Sequence, residues 1–210
     1  MENSDNSFKN PVEIESYRTP ERTEKLLNIL KKRQPTLTIV LENVHDPHNV
    51  SAVIRSCDAV GVLEVCLVYH SGQKFPQLGE KSSASARKWV EQRHFTSVEE
   101  CFKTLKSEGK KIFTTHMASD AVSLYDMNLT KPVALVFGNE HSGVSQDALK
   151  LADGNFLIPQ VGVIQSLNIS VACAVTLYEA YRQRAEAGMY DDIQFEESAF
   201  KIKAEEWLKR

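Results

Sequence analysis

The chain has 210 residues, of which 42% are hydrophobic and 25% are charged, and its formal net charge at pH 7 is −3. These values are typical of a soluble globular protein with one main domain. No apolar run approaches the ~18 residues of a membrane span, and the polar N-terminus lacks the features of a signal peptide. Four scattered cysteines without CxxC spacing indicate reduced thiols, so we expect a cytoplasmic protein. The negative charge does not indicate nucleic-acid binding, which would require a local basic face.

Residues 1–35 are predicted to form a polar arm followed by a basic helix. Thr19 is expected to cap this helix, Pro20 to occupy its first position, and the helix to run to about Arg33. Solvated helix faces carry such charges more often than RNA-binding faces do. The position ahead of the first core strand nevertheless makes the helix a candidate RNA-binding extension, with the basic residues Arg18, Arg22, Lys25, Lys31, Lys32 and Arg33.

From Leu37 onwards, short apolar runs alternate with helical patterns. This alternation predicts an α/β fold with an open, mostly parallel sheet and helices on both faces. We expect strands at about 37–42, 64–70, 111–116, 133–138 and 155–158, and helices near 50–60, 97–108, 145–152 and 169–186. Between 79 and 95 the pattern is weaker, and Trp89 to Phe95 is a candidate short strand. The tail 187–210 is predicted to end in an amphipathic helix with Phe200, Ile202 and Trp207.

The first informative stretch is 41–61. The strand is followed by Glu-Asn-Val-His-Asp-Pro-His-Asn without a glycine, which excludes the G-x-G-x-x-G turn of the usual class of methyltransferase. Asp46-Pro47 predicts a turn, and Asn49 is a candidate cap for the next helix. Arg55 lies about one and a half turns inside that helix among apolar neighbours. Its stem can pack along the sheet with the head in water, or the head can reach the carboxyl end of the strands, where ligands of such sheets bind.

The second informative stretch is the apolar strand predicted at 133–138, which ends at Gly138 and is followed by a turn that contains another glycine. The turn carries one carboxylate, Glu140, and then Gly143 and Ser145, which is expected to cap a helix. One interpretation is a solvated turn with Glu140 in water. The other places Glu140 at the carboxyl end of its strand, in the same crevice as Arg55.

The third stretch is a strand stopped by Pro159, a loop, and a long helix of small apolar residues up to about 186. Polar residues stand at alternate positions at the start of this helix, where backbone N–H groups lack helical partners: Ser166, Asn168 and Ser170. The pattern fits an ordinary capped core helix, and it also fits a loop of backbone donors that cradles a small polar ligand.

His45 and His48 are three residues apart, which raises the question of a metal. An H-x-x-H pair without a nearby third ligand is weak evidence, so we predict no metal site. His48, next to Asn49, is instead expected to border an RNA site.

Taken together, the three stretches resemble the three motifs of the SpoU group of RNA 2′-O-methyltransferases, within the SPOUT superfamily. The matching residues are Asn49-x5-Arg55, Gly138-x-Glu140-x-x-Gly143-hydrophobic-Ser145 and Ile158-Pro-Gln…Gln165-Ser-Leu-Asn-Ile-Ser-Val-Ala, in that order across most of 37–184. Arg18-Thr-x-Glu-Arg, Lys88-Trp-Val and the final helix are similar to the TrmH branch of the group. Members of that branch methylate the 2′-hydroxyl of guanosine 18 in the D-loop of tRNA.

The resemblance implies a methyltransferase domain over 36–186 with a deep trefoil knot at about 133–180, flanked by the N-terminal extension 1–35 and the helical tail 187–210. It also implies a homodimer whose subunits share a site, with tRNA as the partner and no membrane or metal. S-adenosyl-L-methionine would be the cofactor, held in the knot by Thr115, Gly138, Ile158 and Leu167.

By the same resemblance, the catalytic residues would be Asn49, Arg55, Glu140, Ser166 and Asn168, and the RNA-binding residues Arg18, Arg22, Lys25, His48 and Lys88. Arg55 would be either the base for the ribose hydroxyl or a cation that clamps a phosphate, because a guanidinium ordinarily keeps its proton. Other targets, in ribosomal RNA or elsewhere in tRNA, and a non-catalytic RNA-binding module remain alternatives. An α/β hydrolase is not supported, since no Gly-x-Ser-x-Gly elbow is present.

Overall fold

The computed structural model describes residues 19–70, 75, 86–164 and 166–210. Its strands are β1 (Gln34–Glu42), β2 (Val62–Val68), β3 (Glu91–Phe95), β4 (Lys111–Thr115), β5 (Val122–Ser123), β6 (Val133–Phe137) and β7 (Gly154–Leu157). Its α-helices are α1 (Pro20–Lys31), α2 (Pro47–Ala59), α3 (Val98–Ser107), α4 (Gln146–Leu151), α5 (Ile169–Glu186) and α6 (Glu197–Lys209). The strands form a seven-stranded sheet in the order β3-β2-β1-β6-β4-β7-β5, and every pairing is parallel. The predicted α/β class with a parallel sheet is confirmed.

Helices cover both faces of this sheet, as predicted. Successive side chains of a strand point to opposite faces, so Ile39 and Val40 of β1 belong to different cores. Ile39 lies in a cluster that includes residues of α2 and α5, such as Ile54 and Leu177. Val40 lies in a second cluster with residues of α3 and α4. The sheet is thus buried on both sides, as parallel sheets usually are.

A third, smaller cluster joins the two ends of the chain. Leu30 of α1 packs with Phe200, Ala204 and Trp207 of α6. The guanidinium of Arg33, itself buried, lies 5.2 Å from the centre of the Trp207 ring. The predicted apolar side of the last helix is therefore correct for Phe200 and Trp207. It is wrong for Ile202, which is 59% exposed.

The sequence predicted most element boundaries closely, with two corrections. Thr19 does cap α1, since its hydroxyl accepts from the Arg22 N–H at 3.4 Å. The helix ends at Lys31 rather than near 33. The cap of α2 is Asp46, whose side chain accepts from the His48 N–H at 2.8 Å, and the prediction that Asn49 caps this helix is wrong.

Some predictions lie on residues outside the described part of the chain. These are the polar arm before Thr19, which includes Arg18, most of the small polar stretch that begins at 79, and Gln165 of the third motif. The candidate strand at 89–95 is present as β3, and β5 was not predicted.

A buried carboxylate, Glu64, lies towards the amino ends of the central strands. Its Oε1 accepts from Lys110 Nζ at 2.9 Å and from the Thr38 hydroxyl at 3.1 Å, and Arg93 lies 3.1 Å from Oε2. Burial by itself raises the pKa of Glu64, but the charges and hydrogen bonds of Lys110 and Arg93 outweigh it and hold the pKa below its ordinary value. This ion cluster stabilises the sheet far from the carboxyl ends of the strands.

Candidate active site

At the carboxyl edge of the sheet, the loop after β6 lies against the loop after β1. Asn139 Nδ2 donates to the carbonyl oxygen of Asn43 at 2.8 Å, and the Ser145 N–H donates to Glu42 Oε2 at 2.9 Å. Asn43 has φ +53°, a left-handed conformation that asparagine tolerates better than most residues. From β1 the chain continues to β2 and β3 on one side of β1, and β6 later pairs with the other side of β1. Ligands of open α/β sheets bind at such a switch point.

A chain of hydrogen bonds joins the three motifs at this edge. Asn49 Nδ2 donates to Glu140 Oε1 at 2.9 Å, and Asn168 Nδ2 donates to Asn49 Oδ1 at 3.2 Å. Asn168 also caps α5, since its Oδ1 accepts from the Ser170 N–H at 2.9 Å. Asn49 is only 9% exposed, which is low for an uncharged amide that does not cap a helix. The side chains of three of the five predicted catalytic residues, Asn49, Glu140 and Asn168, therefore meet although they lie far apart in the sequence.

The other two predicted catalytic residues are not part of this chain of hydrogen bonds. Arg55 follows Asn49 by six residues on α2, so it lies roughly 9 Å further along the helix and about 120° around it. Its side chain is exposed, with no hydrogen bond or ion pair to any residue the structure describes. Ser166 is also exposed. Within one chain, Glu140 thus contacts Asn49, and the shared crevice of Glu140 and Arg55 stays a prediction.

Three of the four predicted cofactor residues lie at the ends of three neighbouring strands. Thr115 ends β4, and its hydroxyl donates to the carbonyl oxygen of Val136 in β6 at 3.0 Å. Gly138 directly follows β6, and Ile158 directly follows β7. Leu167 is half-buried just before α5. All four therefore border the same carboxyl edge, next to the motif residues.

The loop between β7 and α5 has several backbone N–H groups without an acceptor in the described part of the chain. The N–H groups of Val161, Gly162, Val163 and Leu167 donate to no acceptor among the described residues. The side chains of Val161 and Val163 are fully exposed. A loop with unpaired N–H groups and apolar side chains can bind a ligand that has both polar and apolar parts.

Gly138 is required by the fold of its own loop. The N–H of Asn139 donates to the Gly143 carbonyl at 3.0 Å, and the Gly143 N–H donates back to the Asn139 carbonyl at 2.9 Å. These bonds bring the backbone so close that a Cβ at Gly138 would lie 2.1 Å from the Gly143 carbonyl carbon. Asn139 Oδ1 further accepts from the N–H groups of His141 and Ser142, so the turn that carries Glu140 is well ordered by hydrogen bonds.

Tyr69 lies beside this turn and was not predicted from the sequence. Its hydroxyl donates to the carbonyl of Val44 in the loop after β1. Burial raises the pKa of Tyr69, and the negative charge of Glu140 raises it further, so the phenol stays neutral.

The predicted RNA-binding residues fall into two groups. His48 is exposed in the first turn of α2, next to Asn49. Arg22 and Lys25 are exposed on α1, and Lys88 is exposed just before β3, where its carbonyl accepts from Arg210 at the end of α6. The second group thus lies on or next to the two terminal helices.

The described ranges contain neither a membrane-spanning helix nor a group of side chains that could hold a metal. None of the helices within 19–70, 86–164 and 166–210 is long and apolar enough to cross a membrane. In the same ranges, no three histidine, cysteine, aspartate or glutamate side chains are grouped so as to hold a metal, and His45 and His48 have no third ligand there.

Sequence reasoning missed the residues that hold the site together. Glu42 ends β1, Asn43 directly follows it, and Asn139 precedes Glu140 in its turn. One signal was available, since a carboxylate directly after a run of apolar strand residues has to be paired if it is buried. No sequence pattern pointed to Tyr69.

Comparison with known proteins agrees with this geometry. A model of the SpoU rRNA Methylase family matches residues 36–178. A tRNA (guanosine(18)-2'-O)-methyltransferase of Thermus thermophilus is 45% identical over 193 residues, which are 92% of this chain and 98% of the relative. The Aquifex aeolicus TrmH/SpoU tRNA modifying enzyme superimposes with a TM-score of 0.83 at 36% identity, covering 90% of this chain and 95% of the other.

A further solved structure is that of the SpoU methyltransferase AviRb from Streptomyces viridochromogenes in complex with the cofactor AdoMet. It superimposes with a TM-score of 0.66 at 26% identity, covering 73% of this chain and 62% of the other. The family match spans the sheet and all three motif segments. The chain therefore belongs to the SpoU rRNA Methylase family.

Proposed function

We propose that the chain methylates the ribose 2′-hydroxyl of guanosine 18 in tRNA, with S-adenosyl-L-methionine as methyl donor, and that it works in the cytoplasm. The observation that carries the proposal is the hydrogen-bond chain Glu140–Asn49–Asn168, which joins the three motifs at the switch point of the sheet. The 45% identical relative with that printed activity, matched over 98% of its length, supports the choice of substrate.

The residues at the carboxyl edge fit the cofactor. The N–H groups around Gly162, which have no acceptor among the described residues, can bind its polar atoms, and the apolar side chains of Ile158 and Leu167 can pack on its adenine. When bound, the cofactor supplies a methyl group on a sulfonium. Because Leu167 is half-buried here and Gly138 has no room for a side chain of any size, Leu167→Trp is the better probe of the pocket. It should abolish cofactor binding in a calorimetric titration while leaving the fold intact.

The protein's contribution to the reaction is to orient the ribose and to receive its proton. Asn49 and Asn168 present amide groups that can orient the sugar, and Glu140 is a carboxylate next to them that can accept a proton. Ser166, exposed in the loop before α5, completes the proposed set. Arg55 is proposed to clamp a substrate phosphate as a cation, since a guanidinium binds phosphate through two parallel hydrogen bonds. The alternative is that Arg55 itself takes the proton.

We further propose that two copies of the chain form a homodimer in which Arg55 of one subunit serves the site of the other. Arg55 is exposed and unpaired among described residues, and it lies on a different side of α2 from Asn49. The neighbouring helix α5 exposes Val171, Tyr178 and Tyr181, an apolar surface that a second subunit would cover. This proposal gives Arg55 a partner, since it forms no hydrogen bond or ion pair with any described residue of its own chain.

Mixing two inactive variants tests the shared site. Arg55→Ala and Glu140→Ala homodimers should each be inactive, but a mixed dimer would hold one site with both native residues. After subunit exchange, methyl transfer should recover to about a quarter of the parental rate, because half of the dimers are mixed and each has one complete site. Recovery would not occur if both residues acted within one chain.

The remaining features of the proposal concern RNA contacts and chain organisation. We propose that Arg18, Arg22, Lys25, His48 and Lys88 bind RNA phosphates, with the extension 1–35 and the tail 187–210 flanking a methyltransferase domain over 36–186. A trefoil knot at about 133–180 belongs to the same proposal. The exposure of the basic residues of α1 supports an electrostatic contact with RNA.

A tRNA transcript with a single altered ribose is the decisive substrate. Methyl transfer to the parent transcript should occur, and it should be lost when guanosine 18 carries a 2′-deoxyribose. A transcript with 2′-deoxyribose at the neighbouring position 19 is the matched control and should be methylated. Transfer to a ribosomal-RNA fragment but not to tRNA would instead support the ribosomal alternative, and no transfer to either would refute the proposal.

A further inference from the structure

A second buried carboxylate, Glu42, lies at the opposite end of the sheet from Glu64. It is the last residue of β1 and is only 1% exposed. Burying a carboxylate is costly unless its oxygens accept hydrogen bonds, so the partners of Glu42 indicate what its burial supports. The catalytic proposal above assigns this residue no role.

The two oxygens of Glu42 bind the loops that follow the two neighbouring strands. Oε2 accepts from the backbone N–H of Ser145 at 2.9 Å, where the loop after β6 enters α4. Oε1 lies 3.1 Å from Nε2 of His70, which follows β2. Because β1 lies between β2 and β6, Glu42 joins all three strand ends from the middle.

The loop over 138–145 is fixed to the end of β1 at two points. Near its start, Asn139 Nδ2 donates to the Asn43 carbonyl at 2.8 Å. At its end, the Ser145 N–H donates to the Glu42 carboxylate. Two consecutive residues, the last of β1 and the one that follows it, therefore hold both ends of one loop.

Glu140 lies between these two anchors, and its carboxylate contacts Asn49 at 2.9 Å. We infer that Glu42 is a positioning residue for methyl transfer, which acts through Ser145 and the loop 138–145 to hold Glu140 against Asn49. The kinetic part of this inference rests on the proposed function, whereas the anchoring of the loop does not.

The inference requires that a hydrogen-bond acceptor, rather than a charge, is what Glu42 supplies to the loop. Glu42→Gln keeps an acceptor for the Ser145 N–H and should keep kcat within about threefold. Glu42→Met has a similar size without an acceptor and leaves that N–H unpaired. Because misplacement of a reacting group by about 1 Å can cost up to 10²-fold in rate, we expect kcat to fall roughly ten- to hundredfold with little change in KM for tRNA.

Glu64→Met is the matched control, since it removes a buried carboxylate from the neighbouring strand far from the loop. It should lower the free energy of unfolding but leave kcat near the parental value when both variants are assayed well below their unfolding midpoints. Hydrogen exchange of the 138–145 backbone, followed by mass spectrometry, should accelerate at least about tenfold in Glu42→Met and not in Glu64→Met.

Asn139→Asp provides a second test if Glu42→Met does not fold. It keeps the acceptor inside the turn but loses the donor to Asn43, so it should also lower kcat and accelerate exchange in the loop. Parental kcat in Glu42→Met, or a loss of kcat without faster exchange in the loop, would overturn the inference. If the parent protein methylated no RNA, the proposed function would fail, and the exchange experiment would still decide whether Glu42 anchors the loop.

Discussion

Asn49→Asp probes the contact between Asn49 and Glu140 with almost no change in side-chain size. The amide nitrogen that donates to Glu140 at 2.9 Å becomes a carboxylate oxygen, whereas the oxygen that accepts from Asn168 at 3.2 Å is retained. One attractive contact is thereby converted into a repulsion between two carboxylates, and the other contact is preserved.

The size of the effect follows from the geometry. Two unit charges about 4 Å apart interact by about 4 kcal/mol at an effective dielectric constant of ~20. Because Glu140 is exposed, solvent screens part of this repulsion, and we expect Asn49→Asp to lower the free energy of unfolding by about 2 kcal/mol. Methyl transfer in a single turnover should fall at least about tenfold, since the repulsion separates the two side chains.

The swapped variant Asn49→Asp/Glu140→Gln provides the internal control. An amide then stands at 140 and a carboxylate at 49, so the hydrogen bond forms again with its direction reversed. Urea unfolding should show that the swap recovers most of the lost stability, which a double-mutant cycle reports as a coupling free energy. A swapped variant as unstable as Asn49→Asp alone would refute the contact between residues 49 and 140.

Three further predictions concern stability and the role of Arg55. The pKa of Glu64 is lowered in the folded protein, so its ionised carboxylate stabilises the fold fully above pH 4.5, and this stabilisation is lost as the pH falls through the folded pKa. Glu64→Gln should therefore lower the free energy of unfolding by about 3 kcal/mol at pH 7, as measured by urea unfolding. The difference from the parent should shrink at lower pH. Gly138→Ala should destabilise by more than about 2 kcal/mol, because its Cβ meets backbone at 2.1 Å, whereas Gly143→Ala has open space and should cost only about 1 kcal/mol for its φ of +67°. Arg55→Ala should nearly abolish single-turnover methyl transfer but preserve cofactor binding by calorimetry; Arg55→Lys should be inactive as well if Arg55 is a phosphate clamp, and a lysine variant whose rate rises with pH would favour the base.

The sequence predicted the elements whose patterns are local. β6 is an uninterrupted apolar run that ends at a glycine, and α1 has a threonine cap followed by proline, so both signals lie within a few residues. β5 was missed because two residues, Val122 and Ser123, give no periodicity. The cap of α2 was misplaced because Asp46-Pro47 was read as a turn, although proline at the first helical position allows Asp46 to cap the helix.

The candidate site was predictable only in part, because its contacts are long-range. The motif resemblance indicated which residues belong to the site, but no local pattern could tell that Asn49 would contact both Glu140 and Asn168. Glu42 was read as the end of a strand. Its burial depends on the loop after β6, which lies about 100 residues later in the chain.

The packing of α1 on α6 has a consequence for how such a protein can change over generations. The apolar side of the basic helix finds its partners in Phe200, Ala204 and Trp207, which belong to the last 11 residues of the chain. If either helix had been gained alone, its apolar side would thus have lacked this packing partner. Helices α1 and α6 are therefore expected to be inherited, lost or exchanged together, and a chimera that receives only one of them should fail to fold it.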